Sequence, residues 1–325
     1  MQRIFITGAT GLVGSNMCRV ASEAGFVPRA LVRPGSSTKA LEALGAELAW
    51  GDIRDEGAVD AAVAGCAHVV HTAALVPGPT PATREDFEAI NVTGTRHVVA
   101  AAERHGAESL VHFSTSIHEV DGSLQSPERR VEPYAATKSA AFEIVQGAAA
   151  RGLRAMTVCP GAVIGPAPTL GRAVEPPGFN ARFILAARGE IPTFPAFFVE
   201  PVLAEEVATA CLAMIRRGTA GAVYFTFSDH IDTVTLLNLA CEAAGVSHRV
   251  QALTEEELAS DETGKRWGSA VARFALEALV AMRAGHVAKP ENGSIATRAS
   301  LAYEPRSPEE AVRATMVWMK ENTLL

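Results

Sequence analysis

The stretch Arg3–Gly14, R-I-F-I-T-G-A-T-G-L-V-G, constrains the fold more than any other part of the chain. Ile4, Phe5 and Ile6 form a short apolar run that reads as a buried parallel strand. Gly8, Gly11 and Gly14 follow, and then an apolar-periodic segment with Leu12, Val13, Met17, Val20, Ala21 and Ala24. Strand, glycine turn and helix in that order are the context in which a chain cradles a pyrophosphate. Gly8 suits the tight turn, Gly11 a close backbone approach, and Gly14 close packing of helix on strand. The helix N-terminus then aims free N–H groups at the phosphates. The spacing is G-x-x-G-x-x-G, one residue wider than G-x-G-x-x-G. Three glycines alone would equally suit a loop that needs positive φ; their place directly after a strand argues for phosphate.

The rest of the first half repeats the strand–helix alternation. Val27–Val32 reads as the second strand, and Arg33 comes next. An acidic residue stands at about this distance, roughly 20 residues on, where a ribose 2′-hydroxyl is held. Arg33 is cationic, which points to a 2′-phosphate and so to NADP, against the alternative of a solvated loop arginine. Ala46–Trp50 reads as the third strand. Asp52 either accepts from an adenine amino group or caps the helix that begins near Asp55. His68–Thr72 is the fourth strand, and the small Ala73 and Ala74 after it leave room for a ligand. His71 is expected to pack in the strand. Residues 84–105 read as one long helix, with Asn91 as a poor mid-helix residue. Residues 109–114 read as the fifth strand, 134–150 as a helix, and 153–158 as the sixth strand.

Six strand–helix alternations imply an α/β fold, a doubly wound parallel sheet of the Rossmann kind. The pattern then loosens into a Pro- and Gly-rich stretch and a mostly helical remainder. The expected organisation is a dinucleotide-binding domain over 1–160, with 200–230 returning to it. A smaller substrate-binding lobe takes up 161–199 and 231–325.

Tyr134 and Lys138 stand one helical turn apart on one face. A phenol has a pKa near 10, and a neighbouring ammonium favours the phenolate. Tyr134 is thus an acid/base candidate for a substrate oxygen, with Lys138 lowering its pKa. Ser116, just past a strand's carboxyl end, can hydrogen-bond the same oxygen. Hydride transfer itself belongs to the cofactor.

On these features the chain resembles the extended short-chain dehydrogenase/reductase superfamily, of the NAD-dependent epimerase/dehydratase type. The residues that carry the resemblance are T-G-A-T-G-L-V-G at 7–14, G-D-I-R-D at 51–55, H-T-A-A at 71–74 and N-V-T-G-T at 91–95. Further matches are F-S-T-S at 113–116, Y-A-A-T-K at 134–138, P-G-A-V-I-G-P at 160–166 and L-A-Y-E-P at 301–305. The resemblance implies Ser116, Tyr134 and Lys138 as a catalytic triad and Asn91 as a helix-bending residue in a proton relay. It implies cofactor contacts from Thr7, Gly8, Thr10, Gly11, Leu12, Val13 and Gly14, and from Asp52, Ile53, Thr72, Ala73, Ala74 and Ser114. Pro160, Gly161 and Val163 would approach the nicotinamide, and Tyr134 and Lys138 would also touch the cofactor. L-V-R-P-G-S at 31–36 is similar to the dihydroflavonol-reductase-like and hydroxysteroid-dehydrogenase-like branches, where NADP use is common. In this superfamily the helices at 84–105 and 134–150 often build a four-helix dimer, which makes a homodimer an expectation.

Two departures bear on substrate. Cys159 stands where many relatives carry Arg, and F-F-V-E-P-V-L-A-E-E-V at 197–207 lacks the Arg-Asp of many nucleotide-sugar enzymes. Arg172, Arg182 and Arg188 are the cations left for a sugar-nucleotide diphosphate. The leading expectation is therefore an NADP(H)-dependent oxidoreductase, NAD being the other possible cofactor, that interconverts a carbonyl and an alcohol on a fairly apolar small molecule. A nucleotide-sugar epimerase or dehydratase with tightly held NAD, or a catalytically silent dinucleotide sensor, are the alternatives. A net charge of −7 without a Lys/Arg run argues against nucleic acid as partner. The five scattered cysteines lack metal or disulfide spacing, and the histidines form no metal pattern. No apolar run is long enough for a bilayer, and the opening strand is no leader, so the cytoplasm is the expected compartment.

Overall fold

The computed structural model describes residues 1–78, 81–115, 133–176, 178–260, 262, 276 and 292–325. The chain alternates as expected through β1 (Arg3–Thr7), α1 (Leu12–Glu23), β2 (Val27–Val32), α2 (Lys39–Ala43), β3 (Glu47–Trp50), α3 (Glu56–Val63) and β4 (His68–His71). Next come α4 (Arg84–Phe87), a π-helical turn (Glu88–Thr93), α5 (Gly94–Arg104), β5 (Ser109–Phe113), α6 (Pro133–Ala150) and β6 (Ala155–Pro160). Then follow β7 (Ala162–Ile164), a 3₁₀ turn (Gly171–Val174), α7 (Phe179–Ala187), β8 (Thr193–Phe194), β9 (Phe198–Val199), β10 (Pro201–Leu203), α8 (Ala204–Arg217) and β11 (Val223–Thr226). A second stretch of the chain thus adds a seventh strand to the six. The sheet runs β3-β2-β1-β4-β5-β6-β11, parallel throughout.

The inner strands are buried on both faces, which is why β1 carries Ile4, Phe5 and Ile6 in succession and β4 carries Val69 and Val70. Ile4, Ile6, Val70, Val111, Met156 and Val158 face one core, shared with Met17, Cys18 and Ala21 of α1 and Val207, Cys211 and Met214 of α8. Phe5, Val69, Leu110 and Ala155 face the other, against α3, α5 and α6. The closing motif contributes Leu301 and Tyr303 to the first core. Arg154 fastens α8 to the sheet by donating to the carbonyls of Met214, Ile215 and Gly218 at the helix's end. A third core gathers Phe179, Phe183, Phe194, Leu236, Leu237, Met316 and Trp318 in the second half. All five cysteines are buried and unbridged.

Three readings need correction. The long helix at 84–105 is broken: Asn91 sits in a π turn. The cause is visible. The Asn91 amide is committed elsewhere, and the Thr95 hydroxyl donates to the Asn91 carbonyl at 2.6 Å, replacing a backbone partner. Asp52 caps nothing; Asp55 is the N-cap, accepting from Ala58 N, while Asp52 is paired to Arg54. The sixth strand begins at Ala155 and runs to Pro160, two residues beyond its expected end.

His71 packs inside the sheet and orders its surroundings. Ala73 N donates to Thr7 Oγ1 (3.1 Å), and Thr7 Oγ1 lies 2.8 Å from His71 Nδ1. His71 Nε2 lies 2.9 Å from Thr95 Oγ1, whose proton is already given to Asn91 O. Thr95 can therefore only accept from the ring. This fixes the Nε2–H tautomer and makes Nδ1 an acceptor for Thr7. Burial, assisted by the Lys138 charge, pushes the imidazole down to about 3. Because the folded value lies below the unfolded one, the stability His71 contributes is complete above about pH 6.5 and is lost as pH falls toward about 3. Nitrogen-15 NMR should find the neutral Nε2–H ring unchanged from about pH 7.5 to about pH 5. A doubly protonated His71 at about pH 5 would contradict this network.

Candidate active site

The parallel register brings the carboxyl ends of β1, β4, β5 and β6 to one edge, with Thr7 beside His71, His71 beside His112 and Phe113 beside Val158. A cavity of about 520 Å³ opens at this edge. Lys138 reaches the end of β5 through Phe113 O, but neither Tyr134 nor Lys138 lines the cavity. Of the sequence-predicted cofactor residues, Thr7, Gly8, Thr10, Gly11, Leu12, Val13, Gly14, Arg33, Asp52, Ile53, Thr72, Ala73, Ala74 and Val163 line it.

The glycine turn is built as the sequence suggested. Gly8 has φ +70°, and a Cβ there would come within 2.5 Å of Thr72 Oγ1. A Cβ on Gly14 would collide with Gly8 O. Gly11 is the N-cap of α1 and offers no capping side chain, so the first N–H groups of the helix face the cavity without a protein anion. The first turn of α1 holds no acidic residue. This cradle fits a dinucleotide pyrophosphate, since a side chain would fill it and the first turn of α1 brings no carboxylate of its own.

Arg33 stands exposed at the cavity's other end, near Ser36 and Asp52. Its neighbours Arg29 and Arg54 are neutralised, by Glu47 and Asp52. Arg33 forms no ion pair among the described residues. Hydrogen bonds from Arg54 hold the Asp52 carboxyl below its ordinary range despite partial burial.

Tyr134 and Lys138 lie on the first turns of α6, as their spacing required. Lys138 is buried and its Nζ donates to Phe113 O, at the end of β5, at 2.5 Å. Burial pushes its ammonium down to about 8. The expected lowering of Tyr134 is not found. Burial pushes the phenol up to about 12, because the Lys138 ammonium is turned to the Phe113 carbonyl and the phenol loses water without gaining a charge partner. Asn91 bends the helix as implied, but its amide is occupied. Oδ1 accepts from Leu75 N at 2.7 Å, and Nδ2 donates to Leu75 O and to Thr137 Oγ1. It thereby ties the exit of β4 to α6, one residue before Lys138.

Ser114, Pro160 and Gly161 stand at the ends of β5 and β6, outside the cavity lining. Ser114 N donates to Val158 O. Gly161 has a structural reason to be glycine, since a Cβ would strike Glu200 O. Ser116 lies outside the described residues. From the second half, Arg172, offered by the sequence as a cation for a diphosphate, lines the same cavity, and so do Ala173, Glu175, Phe179 and Asn180, which sequence reading missed. Arg182 stacks on Phe179 and Phe194, and Arg188 donates to Leu324 O, so the three candidate arginines do not converge. Asn180 is spent on Gly165 and on Ala173 O. Among the described residues no group of three His, Cys, Asp or Glu side chains is placed to hold a metal, and no helix is long and apolar enough to cross a membrane.

Residues 4–227 match the NAD dependent epimerase/dehydratase family. Sterol demethylase protein B of Methylococcus capsulatus is 32% identical over 250 residues, 74% of this chain and 74% of its own. The 4-hydroxy-2-methyl-3-oxo-4-farnesyl-3,4-dihydroquinoline-1-oxide ketoreductase of Stigmatella aurantiaca is 30% identical over 264 residues, 76% of this chain and 75% of its own. Among solved structures, gox2253 superposes with a TM-score of 0.79 and 25% identity, covering 100% of this chain and 99% of that one. Cradle, strand-end edge and family match agree, and the chain is an enzyme of the NAD dependent epimerase/dehydratase family, in the extended short-chain dehydrogenase/reductase superfamily, with a nicotinamide dinucleotide as its cofactor.

Proposed function

We propose that this enzyme is an NADP(H)-dependent reductase that converts a ketone or aldehyde on a largely apolar small molecule to the alcohol. The observation that carries the NADP part is Arg33, the cavity-lining cation whose neighbouring arginines are already paired. A guanidinium at the end of β2 that forms no ion pair among the described residues is suited to a 2′-phosphate. When bound, the cofactor supplies the hydride.

The chain's own part is the proton. With its pKa pushed up by burial to about 12, the phenol carries its proton at neutral pH and is the proton donor proposed for the carbonyl oxygen. Tyr134 gives its proton to the carbonyl oxygen, and Lys138, one helical turn away and charged below about 8, stabilises the phenolate once its Nζ turns from Phe113 O toward the phenol. Ser116 is the hydroxyl proposed to polarise the same oxygen. The apolar substrate class is supported by Leu12, Val163 and Phe179 in the cavity lining. The names of the relatives, one concerned with sterols and one with a farnesylated ketone, are consistent with it.

The test is NADPH oxidation against a panel of long-chain and terpenoid ketones. Tyr134→Phe should lower turnover by roughly 10²–10⁴-fold while leaving NADPH affinity intact. Turnover should be flat below about pH 7 and fall as Lys138 loses its proton above about 8. A Tyr134→Phe enzyme of unchanged rate would remove the acid from this scheme. Arg33→Ala should weaken NADPH by about 10- to 100-fold and NADH by less than about twofold; equal losses, measured by nucleotide fluorescence titration, would remove the 2′-phosphate assignment.

A further inference from the structure

The cavity's lining includes a cation that the cradle itself does not supply. Among the described residues the lining holds two arginines, Arg33 and Arg172. The glycine turn carries no Lys or Arg of its own. Arg33 stands at the adenosine end, beside Asp52. Arg172 comes instead from the 3₁₀ turn that follows β7, and it faces the same space as Gly11, Leu12 and Val13.

That turn is fastened to the cradle from both sides. Thr169 Oγ1 donates to Thr10 O (3.1 Å), and Asn16 Nδ2, from α1, donates to Pro166 O (2.8 Å). Beyond it, Asn180 Nδ2 donates to Ala173 O (3.0 Å) and to Gly165 O (2.9 Å). The backbone around Arg172 is therefore fixed, and only its side chain is free to move. Among the described residues its ion-pair partner is Glu175, at 3.4 Å, with the two side chains 53% and 58% exposed. An exposed pair this long is worth little and exchanges easily. A pyrophosphate offers the guanidinium two anionic oxygens and a bidentate fit.

We propose that Arg172 is a cofactor-binding residue that leaves Glu175 to close over the dinucleotide pyrophosphate held at Gly11–Val13, with Glu175 as the counter-ion that holds it until the nucleotide arrives. This rests on the reading of the cavity as a dinucleotide site. It makes a distinct demand, because the pyrophosphate is common to every form of the cofactor. Arg172 must serve NADH and NADPH alike, whereas Arg33 distinguishes them.

Binding of NADPH, NADH, ADP and AMP to the purified full chain, by calorimetry or fluorescence, tests the assignment. Arg172→Gln should weaken NADPH, NADH and ADP by one common factor, about tenfold, and leave AMP unchanged. Glu175→Gln should tighten the first three by about two- to threefold, since it frees the cation and removes a repelling charge. Both positions are exposed, and an unchanged melting temperature confirms that each variant is folded. The proposal is overturned if Arg172→Gln binds NADH and NADPH as the parent does, or loses only NADPH, or if Glu175→Gln binds all nucleotides more weakly. A parent protein that binds neither NADH nor NADPH would overturn the dinucleotide reading together with this one; a parent that binds both, with an inert Arg172, overturns this one alone.

Discussion

The close approach of α1 to the end of β1 is the contact on which the site depends. Gly8 turns the chain with a positive φ, and Gly14 lets the helix lie against the Gly8 carbonyl, where any side chain would collide. The turn Gly8 to Gly11 is closed by a backbone hydrogen bond, Gly11 N to Gly8 O at 2.9 Å. The free N–H groups of α1 then lie at the mouth of the sheet rather than over its face. Widening that contact by one methyl group would move the helix dipole off the cavity and spoil the packing of Met17, Cys18 and Ala21 beneath it.

From that contact a line of buried hydrogen bonds leads across the sheet. Ala73 reaches Thr7, Thr7 reaches His71, His71 reaches Thr95, and Thr95 closes on the carbonyl of Asn91. The Asn91 side chain then clasps Leu75 and Thr137. Each donor and acceptor in the line has one available role, so the protons point in one direction throughout. Interrupting any link leaves a buried polar group unsatisfied, at a cost of about 1–3 kcal/mol. The phosphate cradle and the Tyr134–Lys138 helix are thus held in fixed relation by polar contacts as well as by the apolar cores.

Much of this was legible in the sequence, and for identifiable reasons. Sterics alone assign the glycines their roles, and the consecutive apolar residues of β1, Ile4 to Ile6, announce a strand covered on both faces. Asn91 stood out because its side chain disagrees with a helix, and the structure resolves the disagreement as a π turn. Arg33 was legible because its sign is opposite to what its position usually carries. The direction of the Tyr134 shift was not legible, because desolvation depends on what packs around the phenol and on where the Lys138 ammonium turns. Arg172 escaped as a partner of the glycine turn because it is far from it in sequence. Its place comes from the Thr169, Asn16 and Asn180 hydrogen bonds, which no periodicity records.

The pairing of α1 with α8 carries a consequence for biosynthesis. The apolar side of the first helix is covered by residues 204–217, and the sheet's last strand is supplied by 223–226. Until that part of the polypeptide leaves the ribosome, the nascent nucleotide-binding half exposes an oily helix face and the unpaired border of β6. Translation therefore passes through a window in which the emerging chain carries an uncovered apolar helix face and an unpaired strand border, closed only when residues 204–226 have been made.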